Sequence, residues 1–135
     1  MAGYSGTPLW KKLGYASGTR ALTIGAPADY RKILVLPADK EVAWLKGPEK
    51  GMGFVHLFAL RLATLTAELR RLRRTIAPNG VVWVSWPKKA SRVPTDITED
   101  AIRDVALPMD FVDVKVCAVD ETWSGLKLMI RRTER

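Results

Sequence analysis

The run Val81-Val82-Trp83-Val84-Ser85-Trp86-Pro87-Lys88-Lys89 constrains this chain more than any other stretch, and it follows Pro78-Asn79-Gly80 directly. Proline, asparagine and glycine together punctuate the chain and are expected to stop a preceding helix. Valines and tryptophans then follow with almost no polar alternation, the pattern of a strand covered on both faces. Two lysines open a loop at its carboxyl end. A strand of this kind sits in the middle of an open α/β sheet, whose ligands bind beyond the carboxyl ends of the parallel strands. The run predicts an architecture and a working edge, not a reaction.

The rest of the chain supplies partners for that strand. Thr7 to Gly14 reads as a short helix, with Thr7 as its cap, Pro8 in the first turn and Gly14 as its stop. Arg20–Gly25 is a first strand. Asp29 to Leu36 is read as a helix, although Ile33 to Leu36 also suits a strand. Glu41–Leu45 is a second strand, a Lys46–Gly53 loop follows, and Phe54–Ala59 is a third strand. The longest helix spans Leu62 to Ile76, where Leu62, Leu65, Leu69, Leu72 and Ile76 form an apolar stripe. Val81–Ser85 is the fourth strand. Thr98 caps a helix whose Ile102, Val105 and Ala106 face inward and which Pro108 ends. Phe111–Val119 is read as a buried fifth strand, Asp120–Gly125 as a turn, and Leu126–Ile130 as an antiparallel sixth strand. Strands alternating with helices and closed by a hairpin predict a three-layer α/β sandwich in a single domain over residues 1–135.

Composition excludes several classes. No stretch approaches the roughly 20 apolar residues of a membrane span, and Met1 to Gly6 lacks the layout of a signal peptide. Cys117 is the single cysteine and His56 the single histidine. Neither an internal disulfide nor a metal site follows from them, and a reducing cytoplasm is the expected setting. The net charge of +8 favours anionic partners. The densest positive patch is Arg70, Arg71, Arg73 and Arg74 at the end of the long helix. These arginines suit the helix dipole and a solvated face, and they also suit a nucleic-acid backbone.

The segments Ser85–Asp100 and Val112–Leu128, with the opening Ala2–Leu9, resemble the bacterial family called domain of unknown function 3052. The resemblance covers nearly the whole chain. It implies a methyltransferase-like Rossmann fold: a mostly parallel six-stranded sheet of order 2-1-3-4-6-5 ending in an antiparallel hairpin, like a truncated class I methyltransferase. It implies no catalytic residues. S-adenosylmethionine enzymes of that class have a glycine-rich turn after the first strand and an acidic residue after the second. Here the corresponding residues are Gly25-Ala26-Pro27-Ala28-Asp29 and, after Leu45, Lys46, with Glu49 a distant candidate. The sequence therefore argues against S-adenosylmethionine, and no cofactor is expected.

At the carboxyl edge the predicted topology collects Gly25–Asp29, Leu60-Arg61, Trp86–Arg92 and Asp120–Ser124. The candidate ligand-binding residues are Trp86, Lys88, Lys89, Asp120, Trp123 and Ser124, since indoles and ammonium groups together suit an anionic or aromatic ligand. The bland alternative is a loop staple, with Asp120 or Glu121 paired to a lysine and the two indoles lying as lids on the core. His56, in a central strand, reads as a hydrogen-bonded core residue. As an acid or base it would need a partner such as Asp29 or Asp120. Cys117 reads as inert packing, and neither Ser85 nor Ser91 sits in a G-x-S-x-G elbow. The leading expectation is a domain that does not methylate and binds an anionic small molecule or a protein partner. The alternatives are an enzyme acting on a small anionic metabolite, with lysines as oxyanion clamps and Asp120 or His56 as base, and a nucleic-acid accessory protein using the arginine helix. Exposed outer strands would invite pairing with a second copy.

Overall fold

Two strands dense in apolar residues fix the centre of the molecule. In the computed structural model, which describes residues 6–135, β3 (Met52–Phe58) and β4 (Ile76–Pro87) lie side by side in parallel. Val55, Leu57, Val82 and Val84 are buried on one face, and Phe54, His56, Phe58, Trp83 and Ser85 on the other. Such strands are stable only between two layers, and the helices supply both. The opening segment Met1–Ser5 lies outside the described residues, and with it most of the stretch read for a signal peptide.

The sheet has six strands in the order β2-β1-β3-β4-β6-β5. β1 (Arg20–Ile24) pairs in parallel with β2 (Ala43–Trp44) and with β3. β6 (Trp123–Ile130) returns antiparallel against β4, and β5 (Phe111–Ala118) pairs antiparallel outside it. One face carries α1 (Leu9–Leu13) and α2 (Tyr30–Leu34); the other carries α3 (Leu62–Thr75) and α4 (Glu99–Ala106). The expected order and the closing hairpin are both present.

Three local signals appear in the structure as expected. Thr98 Oγ1 accepts the Ala101 amide at 3.1 Å and starts α4. Leu65, Leu69 and Leu72 of α3 are buried in the core. Gly14 ends α1 in the left-handed region.

Four expectations are corrected. Thr7 does not cap α1; Pro8 holds the cap position without a side-chain hydrogen bond. The strand read at Glu41–Leu45 contracts to two residues. Pro78-Asn79-Gly80 does not close a turn after the helix: β4 begins at Ile76 and runs through it. The pairing jumps there from Met52 opposite Ile76 to Phe54 opposite Val81, so four residues of β4 bulge past one of β3. Glycine fits at position 80 because a Cβ would lie 2.6 Å from the Ile76 side chain and 2.9 Å from the Met52 carbonyl oxygen. Finally, β5 is not buried. It is the outermost strand, and Val114 and Val116 are each 49% exposed. Its valine content reflects strand propensity, not coverage on two faces.

Candidate functional site

The two distant stretches expected to meet at the carboxyl edge are neighbours. Pro87 pairs with Trp123 and Trp86 with Ser124, and the Lys88 amide donates to the Thr122 carbonyl at 2.7 Å. Strand parity then separates their side chains, since successive residues of a strand point to opposite faces. Trp86 is buried on the α3–α4 face. Trp123 packs on the α1–α2 face, its ring perpendicular to that of Phe58 with centroids 5.0 Å apart. The two indoles therefore do not share one pocket wall. Asp120 is occupied by its own turn, where Oδ1 accepts the amides of Thr122 and Trp123, each at 2.8 Å. Ser124 is half-buried, Lys88 is half-buried and Lys89 is exposed. The lysine loop is tightened by Ser91, whose hydroxyl donates to the Lys88 carbonyl at 2.6 Å.

A cleft of about 500 Å³ opens at the same edge but over the other half of the sheet. Its walls include Thr23 at the end of β1, Asp29, Arg31 and Lys32 at the start of α2, and Trp44 at the end of β2. The Arg31 guanidinium lies 4.6 Å from the centroid of the Trp44 ring, within cation–π range. Gly25 turns the chain from β1 into this loop at φ +68°, and a Cβ there would meet the Phe58 carbonyl oxygen at 2.7 Å. The sequence points to the Gly25–Asp29 turn but not to Arg31, Lys32 or Trp44. The available signal is the position of two cations immediately after the first strand-to-helix turn. Glu49, the distant acidic candidate, is not at this edge; it pairs with Arg20 at the start of β1, 2.7 Å away.

Beneath the cleft runs a buried polar network. The hydroxyls of Tyr15 and Tyr30 are 2.7 Å apart, and the Tyr30 hydroxyl is 2.8 Å from His56 Nδ1. His56 Nε2 is 2.7 Å from the Ser85 hydroxyl. His56 and Ser85 are both completely buried. The partners of His56 are thus Tyr30 and Ser85, not Asp29 or Asp120. Its register opposite Thr23 and Trp83 places it under α2, and its ring stacks on Phe58 at 4.2 Å. Burial pushes the imidazole pKa down to about 3, so the ring is neutral at physiological pH. Burial likewise raises the phenols of Tyr15 and Tyr30 well above their ordinary range, the latter further through its Tyr15 neighbour. The network orders α2 and the cleft wall. It presents no nucleophile to solvent.

The four arginines of α3 divide into two pairs. Arg73 Nε donates to the Met109 carbonyl at 2.8 Å and Nη2 approaches Asp110 at 3.3 Å, tying α3 to the start of β5. Arg71 pairs with Glu68 at 3.2 Å. Arg70 and Arg74 are exposed. Cys117 is half-buried near the end of the outer strand, and burial pushes its thiol up. Among the described residues no group of three histidine, cysteine or acidic side chains is arranged to hold a metal ion. Nor is any helix among them long and apolar enough to cross a membrane.

No protein-family model matches the sequence, and comparison with curated proteins gives no match. Solved structures do match. A methyltransferase from Aquifex aeolicus described as S-adenosylmethionine-dependent superposes with a TM-score of 0.65 at 13% identity, over 89% of this chain and 86% of that one. Burkholderia thailandensis 1,6-didemethyltoxoflavin-N1-methyltransferase gives 0.57 at 15% identity, over 91% and 75%. Aeropyrum pernix fibrillarin, solved with S-adenosylmethionine, gives 0.56 at 12% identity, over 87% and 69%. At such identities the likeness is one of fold. This chain is a mixed α/β sheet domain with the Rossmann-like architecture of S-adenosylmethionine-dependent methyltransferases.

Proposed function

We propose that this domain does not methylate and instead binds an anionic ligand at the carboxyl edge of its sheet, in the cleft over β1 and β2. The carrying observation is the charge of the wall: Arg31, stacked on Trp44, and Lys32 face a space in which Asp29 is the carboxylate. S-adenosylmethionine carries a sulfonium and an ammonium against one carboxylate, a net positive charge, and methyltransferases of this fold hold its ribose hydroxyls with an acid after the second strand. Here the β2 strand ends at Trp44, the following positions are Leu45 and exposed Lys46, and Glu49 is engaged at the other edge. This donor set does not fit that cofactor. It fits a phosphate or carboxylate held by guanidinium and ammonium, beside an indole offering a flat apolar surface. The motifs at Ser85–Asp100 and Val112–Leu128 support assigning the chain to domain of unknown function 3052, a reading that leaves the activity open. Trp86, Lys88, Lys89, Asp120, Trp123 and Ser124 belong to the β4–β6 end of the same edge, apart from the residues that line this cleft.

Thermal-shift titration tests the proposal, with adenosine monophosphate and S-adenosylmethionine as probes. The monophosphate should raise the melting temperature of the native protein and leave an Arg31→Glu/Lys32→Glu variant unmoved. A saturable response to micromolar S-adenosylmethionine, with none to the monophosphate, would overturn it.

A further inference from the structure

We infer that the opposite edge of the sheet, where the parallel strands begin, is a second binding surface that takes the phosphodiester backbone of a nucleic acid. A groove of about 230 Å³ at that edge is lined by Lys50 ahead of β3, Arg73 and Arg74 at the end of α3, and Arg135 beyond β6. Three segments remote in sequence thus bring four cations to one concavity. Glu134 is the one acidic side chain among its lining residues. A second cleft of about 210 Å³ adjoins it, lined by Pro48, Glu68, Arg71 and Leu72. Arg74 and Thr75 line both clefts, so the two make one track across the edge.

The cations differ in what they are free to do. Arg73 is held by Met109 and Asp110, and Arg71 neutralises Glu68 within the second cleft. Arg135 Nε donates to the Ile130 carbonyl at 2.7 Å, which fixes its guanidinium beside the groove. Arg74 lines both clefts, and Arg70, which lines neither, is exposed one helical turn away on the same outward face of α3, where it extends the positive charge of the track. Guanidinium groups bind phosphate oxygens through paired hydrogen bonds, and a line of them follows a repeating phosphate better than a single anion. The net charge of +8 adds long-range attraction for a polyanion. Among the described residues, none that lines either cleft is aromatic. The contact is therefore with the backbone, without stacking on bases, and carries no sequence preference. This surface is independent of the carboxyl-edge cleft and stands or falls separately.

Fluorescence anisotropy with a labelled oligouridylate and a labelled DNA duplex tests the inference on the full chain. The native protein should bind at low salt, and affinity should fall linearly with salt on logarithmic axes. Arg70→Glu/Arg74→Glu should weaken binding about tenfold or more and reduce the salt slope by roughly 0.7 for each phosphate of the single strand that the variant no longer neutralises. Lys115→Glu, on the exposed outer strand, makes a charge reversal away from the track and should leave affinity nearly unchanged. Circular dichroism melts identify any variant that fails to fold, in which case Lys50→Gln/Arg74→Gln replaces it. Absence of binding at low salt overturns the inference, as does equal weakening by Lys115→Glu. Polyglutamate or tripolyphosphate bound as tightly as the oligonucleotide would also overturn it, in favour of an acidic protein or a small polyphosphate.

Discussion

His56 Nε2 and the Ser85 hydroxyl lie 2.7 Å apart near the middle of the sheet, neither reached by solvent. The other ring nitrogen meets Tyr30, which meets Tyr15, so four polar side chains satisfy one another inside an apolar layer. A buried network of this kind is stable only while every member keeps its partner. It also joins the central strands to α2, the element that carries Arg31 and Lys32 to the cleft.

Removing either central partner should therefore be costly. Ser85→Ala leaves one imidazole nitrogen buried and unpaired, for an expected loss of about 1–3 kcal/mol. His56→Ala orphans both Tyr30 and Ser85 and opens a cavity, and should cost about 3 kcal/mol or more. Urea denaturation monitored by circular dichroism measures both. A Ser85→Ala variant as stable as the native protein would refute the network's energetic role.

The same histidine sets a pH dependence. Its folded pKa, about 3, lies below the ordinary value of 6.5, so the unfolded chain binds the proton more readily. Stability from this group is complete above about pH 6.5 and falls as pH drops from there toward 3, by about 1.4 kcal/mol per pH unit. Below about pH 3 both states are protonated and the loss stops growing. Urea midpoints from neutral to mildly acidic pH should show this slope in the native protein. His56→Gln keeps hydrogen-bonding capacity without the proton site and should flatten it; parallel slopes would refute the assignment.

Two glycines with similar backbone angles should respond differently to alanine. Gly14 has φ +90° and no neighbouring atom within 4 Å of where a Cβ would stand. Gly14→Ala should therefore cost only the left-handed backbone penalty, about 1 kcal/mol. Gly25→Ala adds a collision with the Phe58 carbonyl and should lower the melting temperature by several degrees more. Equal melting temperatures for the two variants would show that the turn after β1 can relax.

Capping offers a similar contrast. Thr98→Ala removes the hydrogen bond to the Ala101 amide and should cost about 1 kcal/mol. Thr7→Ala should be nearly silent, because Thr7 is exposed and makes no cap to α1. Thermal melts of the two variants decide it, and a substantial loss at Thr7 would restore the cap that its sequence position suggests.

Ligand discrimination should follow Trp44. Trp44→Ala removes the surface on which Arg31 lies and should weaken the adenosine monophosphate response without reversing the charge of the cleft. Trp44→Phe should retain most of it. An alanine variant with native response would exclude the indole from the site.

Much of this protein is legible residue by residue. The apolar run at Val81–Ser85 marks a central strand, the leucine stripe of α3 marks a buried helix face, and Thr98 marks a helix start, since each depends on spacing over a few positions. The strand order and closing hairpin match what the alternation of such elements leads one to expect. Pairing decides the rest. Valine-rich β5 is exposed as the outermost strand among the described residues, and Pro78-Asn79-Gly80 lies within β4 because a bulge against Met52–Phe54 absorbs it. Trp86 and Trp123 meet as neighbours in backbone but not in side chain, because register parity sends them to opposite faces. The partners of His56 stand 26 and 29 positions away in the chain, and Arg31 and Trp44 come from different elements. Only the packing of α2 on the sheet brings these groups together, and no local spacing encodes that packing.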